Sequence, residues 1–252
     1  MIQWKERFWA SGIHLCISAL VAALAGLLVF AVWFPFPYRE VSGGRELFLL
    51  VIMVDVMLGP LITLAVFNRA KPRAELRRDL TVVAVLQIAG LLYGLWSVSL
   101  ARPVHLVFEI DRFRVVHAVD VPEPLLGRTP SGIDALPWFG PTLLAVRPFN
   151  DQSESLDATM AALEGTHIGA RPDLWQPYVQ ARARVQQAAK PVVQLKRRLS
   201  GRAGEIDALL KAAGRSAERT AYLPLVARRT VWTVFIDPAT AEVVAFMPLD
   251  PF

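Results

Sequence analysis

Three long apolar segments open the chain and give it a strongly uneven hydrophobic pattern. They cover residues 12–34, 47–67 and 80–100. The first and third carry no formal charge, and the second carries only Asp55. About 20 consecutive apolar residues suffice to cross the ~30 Å hydrocarbon core of a bilayer as an α-helix. The pattern therefore predicts three transmembrane helices.

A cleavable signal peptide is the alternative interpretation of the first segment, because Lys5 and Arg7 precede an apolar run. The run is too long for a signal core, and Trp33-Phe34-Pro35 does not resemble a cleavage site made of small residues. We therefore expect the first segment to be retained as a membrane helix.

The basic residues of the short connecting segments predict the orientation in the membrane. Residues 68–79 hold five of them and residues 1–11 hold two, whereas residues 35–46 hold only Arg39 and Arg45. Residues 1–11 and 68–79 should therefore be cytoplasmic. An odd number of spans then places residues 101–252 outside, in the periplasm of a cell with an inner membrane.

From residue 104 the apolar period changes to two, which is typical of a β-strand with one buried face. A second strand is predicted over residues 113–119. If Asp111-Arg112 is the turn, Glu109 faces Arg114 and Phe108 faces Val115, which gives a cross-strand ion pair. Asp-Arg is not a favoured two-residue hairpin turn, so the register stays open.

The rest of the second half predicts helices followed by strands. A third strand is expected over Thr142–Phe149, and a helix over Asp151–Glu164 with Asp151 or Ser153 as its N-cap. The other predicted elements are a long helix over Tyr178–Leu199 with an apolar seam, which Pro191 should kink or split, a helix over Glu205–Ala213 ended by Gly214, and strands over Tyr222–Arg229, Thr230–Ile236 and Glu242–Met247. The predicted fold is three transmembrane α-helices followed by an extracytoplasmic α+β domain with β-strands at both ends and helices between.

Composition excludes several classes of function. The 27 basic and 22 acidic residues form no concentrated positive charge, which argues against nucleic-acid binding. A single cysteine, Cys16, excludes an intrachain disulfide framework and is expected to be a small buried hydrophobic residue. The sequence contains no nucleophile elbow, Walker loop, HExxH motif or dinucleotide fingerprint. We therefore expect a non-enzymatic protein with no cofactor, metal site or catalytic residue.

The second apolar segment carries the most informative candidate residue, Asp55, because an acid near the centre of a membrane helix costs about 2.5–3.5 kcal/mol on insertion scales. Three interpretations stay open: a structural acid that is protonated or bonded to another side chain of the bundle, a polar contact for a partner helix, or a proton site. The bonding candidates are Gln87, Thr63 and His14. Pro60 cannot donate to the carbonyl of Val56, so a kink is expected nearby.

Small residues in the third segment suggest close helix packing. Gly90 and Gly94 form a GxxxG pattern, which lets helix backbones approach closely in lipid. The pattern fits packing among the three helices of this chain, and it also fits docking of a foreign transmembrane helix. The candidate partner-binding set is Asp55, Gly59, Pro60, Gly90 and Gly94.

Several stretches resemble a known family. They are residues 12–15 (GIHL), 54–60 (VDVMLGP), 101–104 (ARPV), 108–116 (FEIDRFRVV) and 171–174 (RPDL) with Pro177-Tyr178. With the order of three spans and an exported domain, the sequence resembles the TfpX/TfpZ family of type IV pilin accessory proteins. The resemblance implies an inner-membrane protein that modulates the stability and assembly of a major type IV pilin and has no catalytic residues.

The expected partners are therefore the lipid bilayer and the pilin. The bundle would meet the pilin's transmembrane helix. The α+β domain would meet its globular head, either through a strand added at a sheet edge or through the helical seam. Two other classes stay open: a membrane-anchored extracytoplasmic sensor with a ligand pocket, and a membrane-anchored enzyme acting on pilin or envelope glycans.

Overall fold

The computed structural model describes residues 4–228 and 230–252, apart from the side chains of Leu47, Leu50 and Val54. The first three residues of the predicted cytoplasmic tail and Arg229, the last residue of one predicted strand, lie outside the described part. The chain divides into two compact units. We call them the membrane unit, which runs to Arg102 without residues 40–42, and the sheet unit, which comprises Glu40–Ser42 and Pro103–Phe252.

Three helices of the membrane unit are long and apolar enough to cross a bilayer, among the residues that the structure describes. They are α1 (Trp4–Trp33), α2 (Gly44–Val66) and α3 (Arg73–Leu100). This confirms the three helices predicted from the apolar segments. Both α1 and α3 begin earlier than those segments, because the helices continue into charged residues that need not lie in hydrocarbon.

Two of these helices contain a wider π-helical turn. One closes α1 at Leu28–Trp33, and the other lies in α2 at Val54–Leu58, directly before Gly59-Pro60. Proline has no backbone N–H to donate, and a π turn is a known way for a helix to accommodate such a local break in its hydrogen bonding. The predicted disturbance before Pro60 thus takes the form of a π turn that contains Asp55.

The sheet unit is built on a mixed sheet of eight strands, counted within residues 103–228 and 230–252. The strands are β1 (Pro103–Phe108), β2 (Phe113–His117), β3 (Thr142–Val146), β4 (Trp175–Pro177), β5 (Lys190–Pro191), β6 (Ala221–Val226), β7 (Val231–Ile236) and β8 (Val243–Met247). The order is β4-β3-β1-β2-β6-β7-β8, with β5 paired to β6. The pairs β1–β3 and β2–β6 are parallel. The α+β architecture with strands at both ends is confirmed.

The predicted register of the first hairpin is wrong by two residues. Phe108 pairs with Phe113 rather than with Val115, so the turn is the longer segment Glu109–Arg112, which the Glu109 N–H closes on the Arg112 carbonyl at 2.9 Å. The predicted ion pair still forms, since Arg114 Nε lies 2.7 Å from Glu109 Oε1. A side chain can reach a diagonal neighbour, so the pair did not fix the register.

The helices of the sheet unit are short. They are α4 (Gln152–Leu163), α5 (Arg182–Ala188), α6 (Val192–Arg198) and α7 (Ala203–Ala212). Asp151 caps α4 by accepting from the Glu154 N–H at 2.8 Å. The predicted long helix over Tyr178–Leu199 is split at Pro191, which instead pairs with β6. Its apolar seam is in the core, since Val185, Val192 and Leu195 are fully buried.

The end of α7 gives a direct test of local backbone chemistry. Gly214 has a φ of +68°, and Arg215 N–H donates to the Leu210 carbonyl at 2.8 Å, which is a Schellman cap. We expect Gly214→Ala to lower the free energy of unfolding by about 1 kcal/mol, because alanine is strained at positive φ. Thermal unfolding of the purified full chain measures this.

Gly204, inside α7, is the matched control. An added methyl group meets no atom within 4 Å at either glycine, so only the backbone conformation differs. Gly204→Ala should raise the stability by about 0.5 kcal/mol, because alanine is the better helix former. Equal effects at the two positions would contradict the conformational explanation.

Candidate functional site

A groove of about 1060 Å³ lies within the membrane unit. Helix α2 contacts both other helices, whereas α1 and α3 hardly touch each other, so α2 forms the floor and the other two form the walls. On α1 the lining runs from Lys5 to Ala22, which corresponds to about 25 Å of helix. Most of the lining is apolar, including Trp9, Ile13, Ile17, Ile52, Ile88 and Leu91.

The polar side chains of the groove come from all three helices. His14 Nδ1 lies 2.5 Å from Thr63 Oγ1, which joins α1 to α2. Gln87 Nε2 donates to the backbone carbonyl of Asp55 at 3.0 Å, which joins α3 to α2. Each of these three side chains is therefore engaged in a contact between helices of the same chain.

Asp55 lines the groove and is only partly buried. Within the described residues its carboxyl group makes no hydrogen bond to Gln87, Thr63 or His14, the three partners considered from sequence. Gln87 bonds the Asp55 backbone instead of its side chain. The groove therefore presents a carboxyl group with unused hydrogen-bonding capacity, surrounded mainly by hydrocarbon side chains.

One end of the groove is charged. Arg69 Nη1 lies 3.2 Å from Glu6 Oε1, and Lys5 also lines this end. Helix α1 and the segment after α2 therefore carry ionic groups at the end that the charge pattern predicts to be cytoplasmic. The opposite end, near Ala22 and Leu91, is apolar.

Gly59 and Pro60 belong to the internal packing of the bundle. Gly59 is buried, and a methyl group added there would overlap the side-chain amide of Gln87. Pro60 is buried, and its carbonyl accepts a hydrogen bond from Ser11 Oγ at 2.8 Å. These two positions let α1 and α3 approach α2 closely.

The GxxxG pattern divides into two different environments. Gly94 is buried, and an added Cβ would lie 2.6 Å from Val51 Cγ1, so it serves the packing of α3 on α2. Gly90 is exposed, and the nearest atom to an added Cβ is Asp55 Oδ1 at 3.9 Å. Of the five candidate residues, Asp55 lines the groove and Gly90 lies next to it, while the other three are packed inside.

Comparison with known proteins places the chain in a family. A family model described as Fimbrial assembly protein FimB matches residues 2–43. The proteins similar to this chain include three fimbrial assembly proteins of Dichelobacter nodosus. The serogroup I protein is 36% identical over 242 residues, covering 92% of this chain and 93% of the relative. The serogroup E1 protein is 36% identical over 243 residues, with the same coverage. The protein of serogroups C1 and C2 is 40% identical over 121 residues, covering 46% of this chain and 92% of the relative.

The chain belongs to the FimB family of fimbrial assembly proteins. No solved structure matches it. Membership in the FimB family confirms the resemblance to a pilus accessory family and supports a role in fimbrial or pilus biogenesis. The family match over residues 2–43 contains helix α1, which forms one wall of the groove.

The sheet unit of this FimB-family protein has a smaller cleft of about 490 Å³ near Glu109, Arg147 and Arg184. Arg147 makes a bidentate pair with Glu154 at 2.6 and 2.9 Å, and Glu109 accepts from Arg114 and from the Gly169 N–H. Arg184 donates to the Val146 carbonyl, and burial lowers the pKa of its guanidinium group. The charged side chains at this cleft thus form hydrogen bonds and ion pairs that stabilise the sheet unit itself.

Two histidines of the sheet unit, His105 and His117, also serve its packing. His105 is fully buried against Trp175, with ring centroids 4.4 Å apart, and His117 Nδ1 lies 2.9 Å from Asp120. Among the described residues, no three histidine, cysteine or acidic side chains gather as a metal site. Cys16 is exposed on α1, so the prediction that it is buried was wrong.

Proposed function

We propose that this FimB-family protein binds the major type IV pilin before or during its assembly into the pilus, and that the groove between α1 and α3 receives the pilin's transmembrane helix. The groove is the observation that supports this function. A helix that waits in the bilayer for assembly must be held by contacts that can be released. An open, mostly apolar groove offers van der Waals packing along its length without enclosing its occupant.

The Asp55 carboxyl group adds selectivity to such a groove. Its desolvation is unfavourable in hydrocarbon, so an occupant that offers a hydroxyl, amide or ammonium group at this depth is favoured over lipid chains. Hydrogen bonds between membrane helices contribute about 0.6–1.7 kcal/mol, which suits a complex that must later dissociate. Gly90 lies beside Asp55 and leaves space for the backbone of the occupant to approach.

We further propose that the three helices lie in the cell inner membrane with the N-terminus in the cytoplasm and the sheet unit in the periplasm. The five basic residues at 68–79 support this orientation. The sheet unit would then be on the same side as the globular head of the pilin. The helical seam is buried, so contact would be made at a sheet edge, where β8 lies at one end of the strand order.

In this scheme the protein acts by holding its partner, and we propose no catalytic step, cofactor or metal for it. Its effect on the pilin would be on stability and on the rate of incorporation. Fewer pili and weaker twitching motility would be the cellular consequences of losing it.

Site-specific photocrosslinking tests the groove. A benzophenone amino acid at Ile13, which lines the groove and is 42% exposed, should capture the host's major pilin in intact cells. The same amino acid at Leu15, which is 44% exposed, should not, because two residues along a helix correspond to a rotation of about 200°. Ile88 and Leu86 provide the same comparison on α3. Equal capture from both faces would contradict the proposed docking site.

The Asp55→Leu variant tests the polar contact. We expect it to insert and fold as the wild type does, because the Asp55 carboxyl makes no hydrogen bond within the described residues. Its capture of pilin during co-purification should fall about tenfold, equivalent to ~1.4 kcal/mol. Asp55→Asn, which keeps a polar group, should retain more. Full capture by a normally inserted Asp55→Leu protein would remove Asp55 from the site.

A further inference from the structure

Two neighbouring aromatic side chains of the sheet unit face outward. Phe139 is 78% exposed and Trp138 is 51% exposed, in the segment that leads into β3. The buried Pro137 precedes them, and Gly140, with a φ of +56°, turns the chain back after them. Large exposed apolar groups at a loop tip are unfavourable in water and usually mark a surface that meets another phase or partner.

The base of this loop is fixed to the sheet by one buried side chain. His105 on β1 has its Nε2 3.0 Å from the Ala135 carbonyl and its Nδ1 2.6 Å from Thr142 Oγ1. These two contacts lie on either side of the aromatic tip. Ala135 and Leu136 also pack against the core. The tip is therefore already held in position before it meets a partner. Little conformational entropy is then lost on binding.

The strand register shows at which end of the sheet the tip lies. Pro103 pairs with His117, and His105 lies beside Thr142 in the parallel pair. We call this end of the sheet, formed by Pro103, His117 and Thr142, the root. Phe139 is three residues from Thr142, so it lies within about 10 Å of that strand end. The turn at Glu109–Arg112 is the opposite end of the same hairpin.

Chain connectivity keeps the root close to the end of a membrane helix. Pro103 follows Leu100, the last residue of the membrane helix α3, by three residues, which span at most about 11 Å. A second tie comes from the loop between α1 and α2. Its residues Glu40–Ser42 belong to the sheet unit, and the Val41 carbonyl accepts from Thr230 Oγ1 at 3.3 Å.

We infer that the Trp138-Phe139 tip lies in the interfacial layer of the same bilayer that α1, α2 and α3 cross. Aromatic side chains are favoured at this depth because their rings are apolar and tolerate nearby headgroups. Val119, which is 54% exposed and lies two residues beyond His117, places a further apolar side chain at the root. The contact would be made by the protein's own side chains and would not require pilin.

Lipid-quenching fluorescence tests this inference on the full chain in nanodiscs of phosphatidylethanolamine and phosphatidylglycerol. In a Cys16→Ser background, an environment-sensitive fluorophore is attached to Phe139→Cys, Val119→Cys or Ile110→Cys. Ile110 is the control, since it is 63% exposed but lies in the turn about 20 Å from the root. Labels at 139 and 119 should emit at shorter wavelength and lose fluorescence when headgroup-level nitroxide lipids are included. The label at 110 should respond instead to a water-soluble quencher.

Two results would overturn the inference. One is equal quenching by nitroxide lipids at 139, 119 and 110. The other is protection of the 139 label only after pilin is added, which would make the tip a protein-binding surface. All three replaced side chains are more than half exposed, so the substitutions should leave the fold intact, and circular dichroism of each labelled protein checks this.

Discussion

Replacing Gly94 with leucine should separate helices α2 and α3 and lower the stability of the membrane unit by about 3 kcal/mol, at the upper end of the cost of overpacking a close contact. A Cβ at this position would lie 2.6 and 2.9 Å from the two methyl carbons of Val51 and 3.3 Å from its Cβ. Valine in a helix has one strongly preferred χ1 rotamer, so its methyl groups cannot turn away. The helix backbones must therefore move apart. Unfolding by SDS in mixed micelles measures the loss.

Gly90→Leu is the matched control on the same helix. Gly90 belongs to the same sequence pattern, but it is exposed and only Asp55 Oδ1 approaches an added Cβ, at 3.9 Å. This variant should unfold at nearly the wild-type SDS concentration, while its capture of pilin should fall if Gly90 borders the docking site. A Gly94→Leu protein as stable as the Gly90→Leu protein would show that the α2–α3 contact does not depend on Gly94.

Acidification from pH 6.5 towards pH 4 should remove about 3 kcal/mol of stability from the sheet unit through His105 alone. Burial lowers the pKa of this imidazole to about 4, from about 6.5 in an unfolded chain. Between about pH 6.5 and pH 4, the imidazole of His105 is therefore protonated in the unfolded state and neutral in the folded state. The stability from neutral His105 is fully present above pH 6.5, falls as the pH drops below that value, and has been lost at about pH 4.

The hydrogen bonds of His105 fix which nitrogen carries the proton. A carbonyl can only accept, so Nε2 donates to Ala135 and Nδ1 accepts from the Thr142 hydroxyl. Hydrogen exchange of β1 and β3 between pH 7.5 and 4.5 measures the predicted opening. His105→Gln cannot titrate, so it should show a flatter pH dependence. It should also be less stable than the wild type at pH 7.5, because glutamine does not reproduce the packing of the buried imidazole against Trp175. Parallel profiles for the two proteins would exclude His105 as the cause.

The local sequence pattern was enough to predict those elements that depend only on neighbouring residues in the chain. A run of 20 apolar residues has few stable alternatives to a membrane helix, because its backbone polar groups must bond internally. The Asp151 cap, the Gly214 end of α7 and the break at Pro191 follow from the chemistry of single residues. The end at Gly214 and the break at Pro191 were predicted correctly, and Asp151 is one of the two N-caps that were predicted, the other being Ser153.

Contacts between distant residues decided the rest. The Glu109–Arg114 ion pair is compatible with two hairpin registers, and packing of Phe108 against Phe113 is observed in the one that forms. Strand β4 was missed because its three residues, Trp175–Pro177, are too short for a period to show. The parallel pair β1–β3, which brings the aromatic tip to the root, joins segments about 37 residues apart along the chain.

The sequence by itself determined that Asp55 lies in a membrane helix and that Gly90 and Gly94 allow close packing, because both follow from residue type and spacing. Only the tertiary structure decided that Gly94 is filled by Val51, that Gly90 is open, and that Asp55 borders a groove between helices that hardly touch. The physical reason is that residue spacing specifies which residues share a face of a helix. What packs against that face depends on how the three helices are arranged relative to one another within the membrane unit.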